Sequence, residues 1–298
     1  MKKHYIYINS FWGGFANKTD ANHIGFFETL FKKTAIKNFE ITSDINKATI
    51  LLESIFGNSL CFAKTWDYKF HYSGEPISNN HNNYTIALDS EHGNDKNNVV
   101  DLPLFVYYIH QNNYLGRLLQ KPLIGKSQIP TKFCCFIVSN GNCIVRNEMF
   151  RALNNYKRVD SYGKYCNNMG HTINHGYWTE EYRDIIRKYK FIICFENTKK
   201  GTYITEKIIN PYLSNIIPIY WGTQYVKKVL NTDSFLFLND ETSKSSFIDL
   251  INKVVELDTD DEKYLKMVNA PVFTNDNLSY WNDNYTIERM AKKIDLFL

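Results

Sequence analysis

Two unbroken apolar runs, residues 191–195 (FIICF) and 216–222 (IIPIYWG), are separated by a polar loop and about ten residues at helical spacing. Fully apolar strands joined through a helix predict a parallel pair buried on both faces, with a ligand site beyond their carboxyl ends. Upstream, residues 4–9 alternate with period two, and residues 23–35 put Ile24, Phe27, Leu30 and Phe31 on one helical face. Strands follow near 39–41, 48–55, 68–72 and 85–88, then an apolar stretch at 99–108, which together predict a first doubly wound α/β domain. Periodicity is lost over the proline-bearing stretch 117–130, where a linker is expected.

A second unit repeats the plan. FCCFIVSN (133–140) reads as a strand, and Met149, Phe150, Leu153 and Tyr156 line a helix over 147–156 with Arg146 at its entrance. A short strand and glycine turn (159–168) and a helix over 179–190 lead into FIICF. Beyond IIPIYWG come a strand at 234–238, a helix turning Phe247, Leu250, Ile251, Val254 and Val255 inward, and a shorter helix at 262–268. The tail from 285 aligns Ile287, Met290, Ile294 and Phe297 as an amphipathic helix expected to pack on the body. Pro211 falls inside the helix expected over 205–213 and predicts a kink there. Loops around 78–85 and 91–98 are asparagine-rich.

Composition narrows the class. With 298 residues, 44% hydrophobic and 22% charged, the chain fits two globular domains and has no apolar run near the ~20 residues that span a bilayer. His4, Asn9 and Ser10 interrupt what would be a signal core, and the six cysteines form no CxxC pair, so a cytoplasmic protein with core cysteines is expected. A net charge of +4 from scattered lysines argues against a nucleic-acid face. The 15% aromatic content serves cores first, but flat apolar rings beside polar groups also suit a sugar site.

The loop after FIICF gathers Glu196, Asn197, Gly201, Tyr203, Glu206 and Lys207, a set fit for an anion attached to a polar group. Lys207 offers a point charge, Arg146 a planar fork on the equivalent corner, and Glu206 an acceptor for hydroxyls. Other candidates carry less. Asp89 with Glu91, or Glu180 with Glu181, would suit a glycosidase pair, but nothing positions them. The string DTDD (258–261) sits at a helix start, where carboxylates complement the dipole, and His171 and His175 lie in a glycine-flanked loop.

FENTKKGTYITEK (195–207) followed by PIYWG (218–222) resembles the signature of the α-1,3-fucosyltransferases of glycosyltransferase family 10. FHYSGEP (70–76) is similar to that family's acceptor-side segment, and residues 144–164 to its arginine-bearing helix and following turn. The resemblance implies a GT-B fold, α/β, with two Rossmann-like domains facing across a cleft. The expected division is 1–125 for the acceptor, 126–280 for GDP-fucose, and 281–298 for the packing helix. It implies inverting transfer of L-fucose from GDP-β-L-fucose to a hydroxyl, O3 of GlcNAc, of a β-galactosyl-N-acetylglucosamine type glycan destined for surface polysaccharide or protein glycosylation.

Carried over by position, Glu75 resembles the general base, and Arg146 and Lys207 the diphosphate clamp; Asn197, Tyr203 and Glu206 resemble donor contacts. Trp12, Trp66 and Tyr72 are candidates for the acceptor side. With two cations on the diphosphate no metal is required, although a divalent ion could stimulate turnover. The expected partners are the donor and an oligosaccharide, with at most peripheral membrane contact. The alternatives are another nucleotide sugar on this scaffold, or a non-catalytic glycan binder.

Overall fold

A computed structural model describes residues 2–77, 80–90 and 98–298. The asparagine-rich loop at 91–97, with Glu91, lies outside the described residues. The chain forms two units, residues 1–114, 200–203 and 279–298 in one, and 115–199 with 204–278 in the other.

The first unit contains β1 (His4–Asn9), α1 (Gly25–Phe31), β2 (Phe39–Thr42), β3 (Ile50–Glu53), β4 (Tyr68–Tyr72), β5 (Ile86–Asp89), β6 (Val99–Asp101) and α2 (Leu104–Gln111). Its six strands run parallel in the order β2-β1-β3-β4-β5-β6. Here the expectation of strands alternating with helices needs correction. α1 makes the crossover from β1 to β2, but β3 reaches β4 through turns, and among the described residues between β4 and β5 the regular element is a 3-10 turn, His81–Asn83. Loops of Asn, Ser and Gly carry no helical period, and neighbouring strands follow one another in the sheet.

The second unit contains α3 (Leu115–Leu119), β7 (Lys132–Phe136), α4 (Ile144–Tyr156), β8 (Val159–Ser161), α5 (Glu180–Ile186), β9 (Tyr189–Ile193), α6 (Ile209–Leu213), β10 (Ile217–Tyr220), α7 (Val226–Val229), β11 (Leu236–Phe237), α8 (Lys244–Thr259) and α9 (Asp261–Val268). Its five strands are parallel in the order β11-β10-β9-β7-β8. The apolar runs are continuous because both faces are covered. Cys134, Phe136, Phe191 and Ile193 face a core shared with Met149, Leu153, Val254 and Tyr264, whereas Cys135 and Ile192 join Ile186 and Tyr189 on the other side. Five of the six cysteines are buried, Cys166 being exposed.

Two helical details depart from the sequence pattern. α6 begins only at Ile209, with Pro211 its third residue; the Asn210 N–H already donates to the Glu206 carbonyl at 3.1 Å, so a helical turn precedes it and the bond Pro211 cannot make is the one to the Lys207 carbonyl. The stretch NDNLSYWNDN, too polar to read as a helix, forms α10 (Asn275–Asn284). Thr274 and Asn277 start it reciprocally: the Asn277 backbone N–H donates to Thr274 Oγ at 3.2 Å, and the Thr274 N–H donates to Asn277 Oδ1 at 2.8 Å. In the first unit, α11 (Ile287–Asp295) buries Met290, Ala291 and Ile294 and packs on α1 and β6.

Candidate active site

The corner after β9 is built around a buried carboxylate. Backbone pairing with β10 continues past the strand end, the Glu196 N–H donating to the Trp221 carbonyl at 2.9 Å, and this draws the Glu196 side chain fully inside. A carboxylate is costly to bury unless its oxygens are bonded. Here Thr205 donates its N–H at 2.8 Å and its hydroxyl at 3.0 and 2.9 Å, Lys207 Nζ donates at 2.9 Å, and the Tyr220 hydroxyl at 3.4 Å. The Lys207 ammonium also donates to Thr205 Oγ at 3.1 Å, so the hydroxyl accepts from the cation while donating to the anion. Burial pulls the Lys207 pKa down, but the Glu196 carboxylate, helped by Glu206, outweighs it and leaves it raised.

This arrangement explains the glycine that ends PIYWG. A Cβ on Gly222 would lie 2.6 Å from the Tyr220 hydroxyl, close enough to force a shift, and 3.0 Å from Glu196 Cγ, a tight contact. The glycine of the SYGK turn answers a tighter approach still: a Cβ on Gly163 would meet the Val138 carbonyl oxygen at 1.9 Å.

Arg146 lies in the first turn of α4, inside the helix and not at its entrance, and is 2% exposed. Its guanidinium braces two strand-to-helix corners. It donates to the Asn140 carbonyl after β7 at 2.6 Å, to Asn197 Oδ1 after β9 at 2.9 Å, and to the Phe195 carbonyl at 3.4 Å. Asn197 is itself exposed, and Glu206 is half-buried with its carbonyl accepting from the Ile209 and Asn210 N–H groups. Arg146, Asn197, Glu206 and Lys207 are thus brought together at one end of the second sheet, around the Glu196 whose role the sequence did not disclose. A carboxylate three residues beyond an apolar strand, followed by Thr-x-Lys, was the available signal.

Residues 200–203 belong to the first unit. The Thr202 N–H donates to the Ser90 carbonyl at 2.9 Å, its hydroxyl donates to Asp101 Oδ1 at 2.5 Å, and the Tyr285 hydroxyl donates to Asp101 Oδ2 at 2.6 Å. Beside this anchorage a small recess is lined by Glu75, Pro76, Ile77, Asp89, Ser90, Lys200 and Tyr203. Glu75 follows β4 in a turn tied by Ser73, whose hydroxyl donates to the Glu75 carbonyl at 2.9 Å. Asp89 is buried against His81 Nε2. Tyr203 is 1% exposed.

Of the three aromatic candidates, Trp12 and Tyr72 share the neighbours Phe11 and Tyr107, whereas Trp66 packs elsewhere. Trp12 is half-exposed, donates its indole N–H to the Asn22 carbonyl at 2.8 Å, and sits edge-on to Phe15 and Phe56. Tyr72 is wholly buried among Phe11, Phe27 and Tyr107. Trp66 is 9% exposed, packs with Ala48, Leu51 and Cys61, and donates to the Leu60 carbonyl at 3.1 Å. Tyr72 and Trp66 are spent on packing and leave no open ring face for a sugar.

The rival carboxylates have structural work. Hydrogen bonds from Arg183 and Arg117 bring Glu180 down to about 2. Asp260 caps α9, accepting from the Glu262 and Lys263 N–H groups at 3.0 Å each, and Asp258 accepts from Lys157 at 2.9 Å.

Comparison with known proteins bears on the fold and the family. Residues 128–293 match the model of glycosyltransferase family 10 (fucosyltransferase), C-terminal part. An α-(1,3)-fucosyltransferase of Helicobacter pylori, FucT, is 30% identical over 274 residues, 79% of this chain and 55% of that protein. A human GDP-fucose protein O-fucosyltransferase 3 is 28% identical over 171 residues, 55% of this chain and 35% of that one. The chain therefore spans about half the length of the H. pylori relative and about a third of the human one. Among solved structures, an alpha1,3-fucosyltransferase with GDP-fucose superposes with a TM-score of 0.75 at 23% identity, covering 99% of this chain and 90% of that one, which establishes the GT-B fold. Two parallel-sheet units, a basic corner after β9 and a family match across more than half the sequence lead to one assignment: the chain belongs to glycosyltransferase family 10, the fucosyltransferases.

Proposed function

We propose that this protein is an inverting fucosyltransferase that moves L-fucose from GDP-β-L-fucose to O3 of GlcNAc in a β-galactosyl-N-acetylglucosamine type glycan. The observation that carries the reading is Lys207, held by Glu196 and Thr205 with Arg146 near enough to act on its charge, at the carboxyl end of a parallel sheet. Fold neighbours with GDP and GDP-fucose bound, and the family match, support the choice of donor.

In the proposed reaction Glu75 accepts the proton of the acceptor hydroxyl as that oxygen bonds to the anomeric carbon of fucose. The bond from that carbon to the β-phosphate oxygen breaks on the opposite face, and its electron pair leaves with GDP. Lys207 and Arg146 stabilise the charge gathering there, and Glu206 and Asn197 hold hydroxyls of the donor. Residues 1–125 take the acceptor and 126–280 the donor in this scheme, with no metal needed. Buried thiols at five cysteines suit action on a surface-glycan precursor in the cytoplasm.

The test is a transfer assay with GDP-fucose, GDP-mannose and UDP-sugars against type I and type II disaccharides, with linkage analysis of the product. Transfer from GDP-fucose to O3 is the expected result, and transfer only from another donor rejects the assignment. The human protein O-fucosyltransferase relative makes serine and threonine peptides the necessary second acceptor panel.

A further inference from the structure

We propose that Glu196 is a positioning residue of the donor site, a built-in counter-ion whose buried carboxylate, with the Thr205 hydroxyl, fixes the Lys207 ammonium for the donor diphosphate. The inference rests on Lys207 gripping that diphosphate.

The geometry is more than an ion pair. Glu196 is wholly buried, yet takes donors from the following loop and from β10, and Gly222 leaves room for its stem. Lys207 retains 26% side-chain exposure, so its ammonium lies between a buried anion and the surface. Among the described residues two of its three N–H donors go to Glu196 and Thr205, which leaves the third for an anionic oxygen. A lysine on a flexible stem otherwise loses rotamer freedom when a ligand orders it; here that ordering precedes the ligand.

The same carboxylate keeps the amine charged. Burial works against the ammonium, and Arg146 on α4 works in the same direction. Glu196 and Glu206 oppose them; the Tyr220 hydroxyl donates to Glu196, and the charges of Glu196 and Glu206 also act on the Cys194 thiol and the Tyr182 hydroxyl respectively. With Glu196 neutral, Glu206 alone stands against burial and Arg146. The prediction is a Lys207 that titrates lower, so that donor affinity becomes sensitive to alkali.

The experiment uses the full chain labelled with 15N-lysine, following the Lys207 Nζ signal, assigned by its loss in Lys207→Arg, together with GDP affinity by calorimetry from pH 6 to 10. In Glu196→Gln the Nζ transition is expected to fall by about one pH unit or more. GDP affinity should then drop up to about tenfold per pH unit above the new transition. Glu196→Gln combined with Lys207→Arg, whose guanidinium stays charged, should abolish the alkaline loss. An unchanged Nζ titration in Glu196→Gln overturns the pairing itself. A shifted titration with GDP affinity indifferent to pH keeps the pairing but removes Lys207 from the diphosphate, which overturns the donor-site role. Should Glu196→Gln fail to fold, Lys207→Met tests the pair: it should lower the melting temperature, and adding Glu196→Gln should recover it, whereas wild-type stability in Lys207→Met overturns the proposal.

Discussion

The Thr202 hydroxyl donates to Asp101 Oδ1 at 2.5 Å across 101 residues of sequence, and Tyr285 serves the other oxygen of the same carboxylate at 2.6 Å. Asp101 ends β6 and is 8% exposed, so each bond offsets desolvation of a buried anion. Replacing the hydroxyl by a methyl of the same shape, Thr202→Val, strips one partner without opening a cavity. The expected cost is about 1–3 kcal/mol, read from denaturant unfolding. Wild-type stability in Thr202→Val would show that this bond is not what holds residues 200–203 to the first unit.

Glu75 separates binding from chemistry. It stands in a turn tied by Ser73 and lines the recess with Tyr203 in the first unit, whereas Arg146 and Lys207 belong to the second. Glu75→Ala should therefore lower kcat by about 100-fold or more while GDP affinity stays within about twofold. Parallel loss of both quantities would remove it as the base.

For Arg146 the charge and the fork can be told apart. Among the described residues the guanidinium donates to the Asn140 and Phe195 carbonyls and to Asn197 Oδ1, at the corners after β7 and β9, a pattern that an ammonium cannot reproduce. Arg146→Lys keeps the charge yet leaves Asn140 or Asn197 short of a donor. Both stability and GDP affinity should fall, the latter about tenfold, because the Asn197 loop is released; an affinity equal to wild type in titration calorimetry would exclude the brace from donor binding.

Strands were the most legible part of this sequence, since FCCF, FIICF and IIPIY are buried on both faces and so lack any polar interruption. Arg146 and Lys207 were legible as basic residues on strand-to-helix corners. Glu196 was not, because its partners Thr205 and Lys207 return from a loop and Tyr220 from the next strand, a convergence that no local period records. α10 escaped for a different reason: its asparagines and aspartates favour turns, and it is set by capping and by Trp281 stacked on His110. Trp66 and Tyr72 were judged by residue type, but whether a ring packs or binds is decided by burial, which the neighbouring strands determine.

Gly222 links the second sheet to the site. Gly222→Ala would set a methyl 2.6 Å from the Tyr220 hydroxyl and 3.0 Å from Glu196 Cγ. Strain of about 1–3 kcal/mol is expected, with weaker GDP binding as Glu196 shifts under Lys207. Tyr220→Phe removes the nearer obstacle, so the double variant should recover part of both losses. If it recovers neither, the clash lies elsewhere than with the hydroxyl.

The first unit carries a titration of its own in His71 on β4, which is 2% exposed, packs against the Tyr84 ring and is held down at about 4 by burial, against the pull of Glu53. In the unfolded chain the same imidazole takes its proton near its ordinary value of about 6.5, so below that pH the unfolded state binds more protons than the folded one. This contribution to stability is complete above 6.5 and lost as the pH falls to about 4, at up to about 1.4 kcal/mol per pH unit, and it is flat below that. His71→Phe, which fills the site with a ring that cannot titrate, should flatten this part of the profile. The measurement is denaturant unfolding at half-unit steps from pH 7 to 4; identical slopes in wild type and His71→Phe would mean that the folded protein admits the proton.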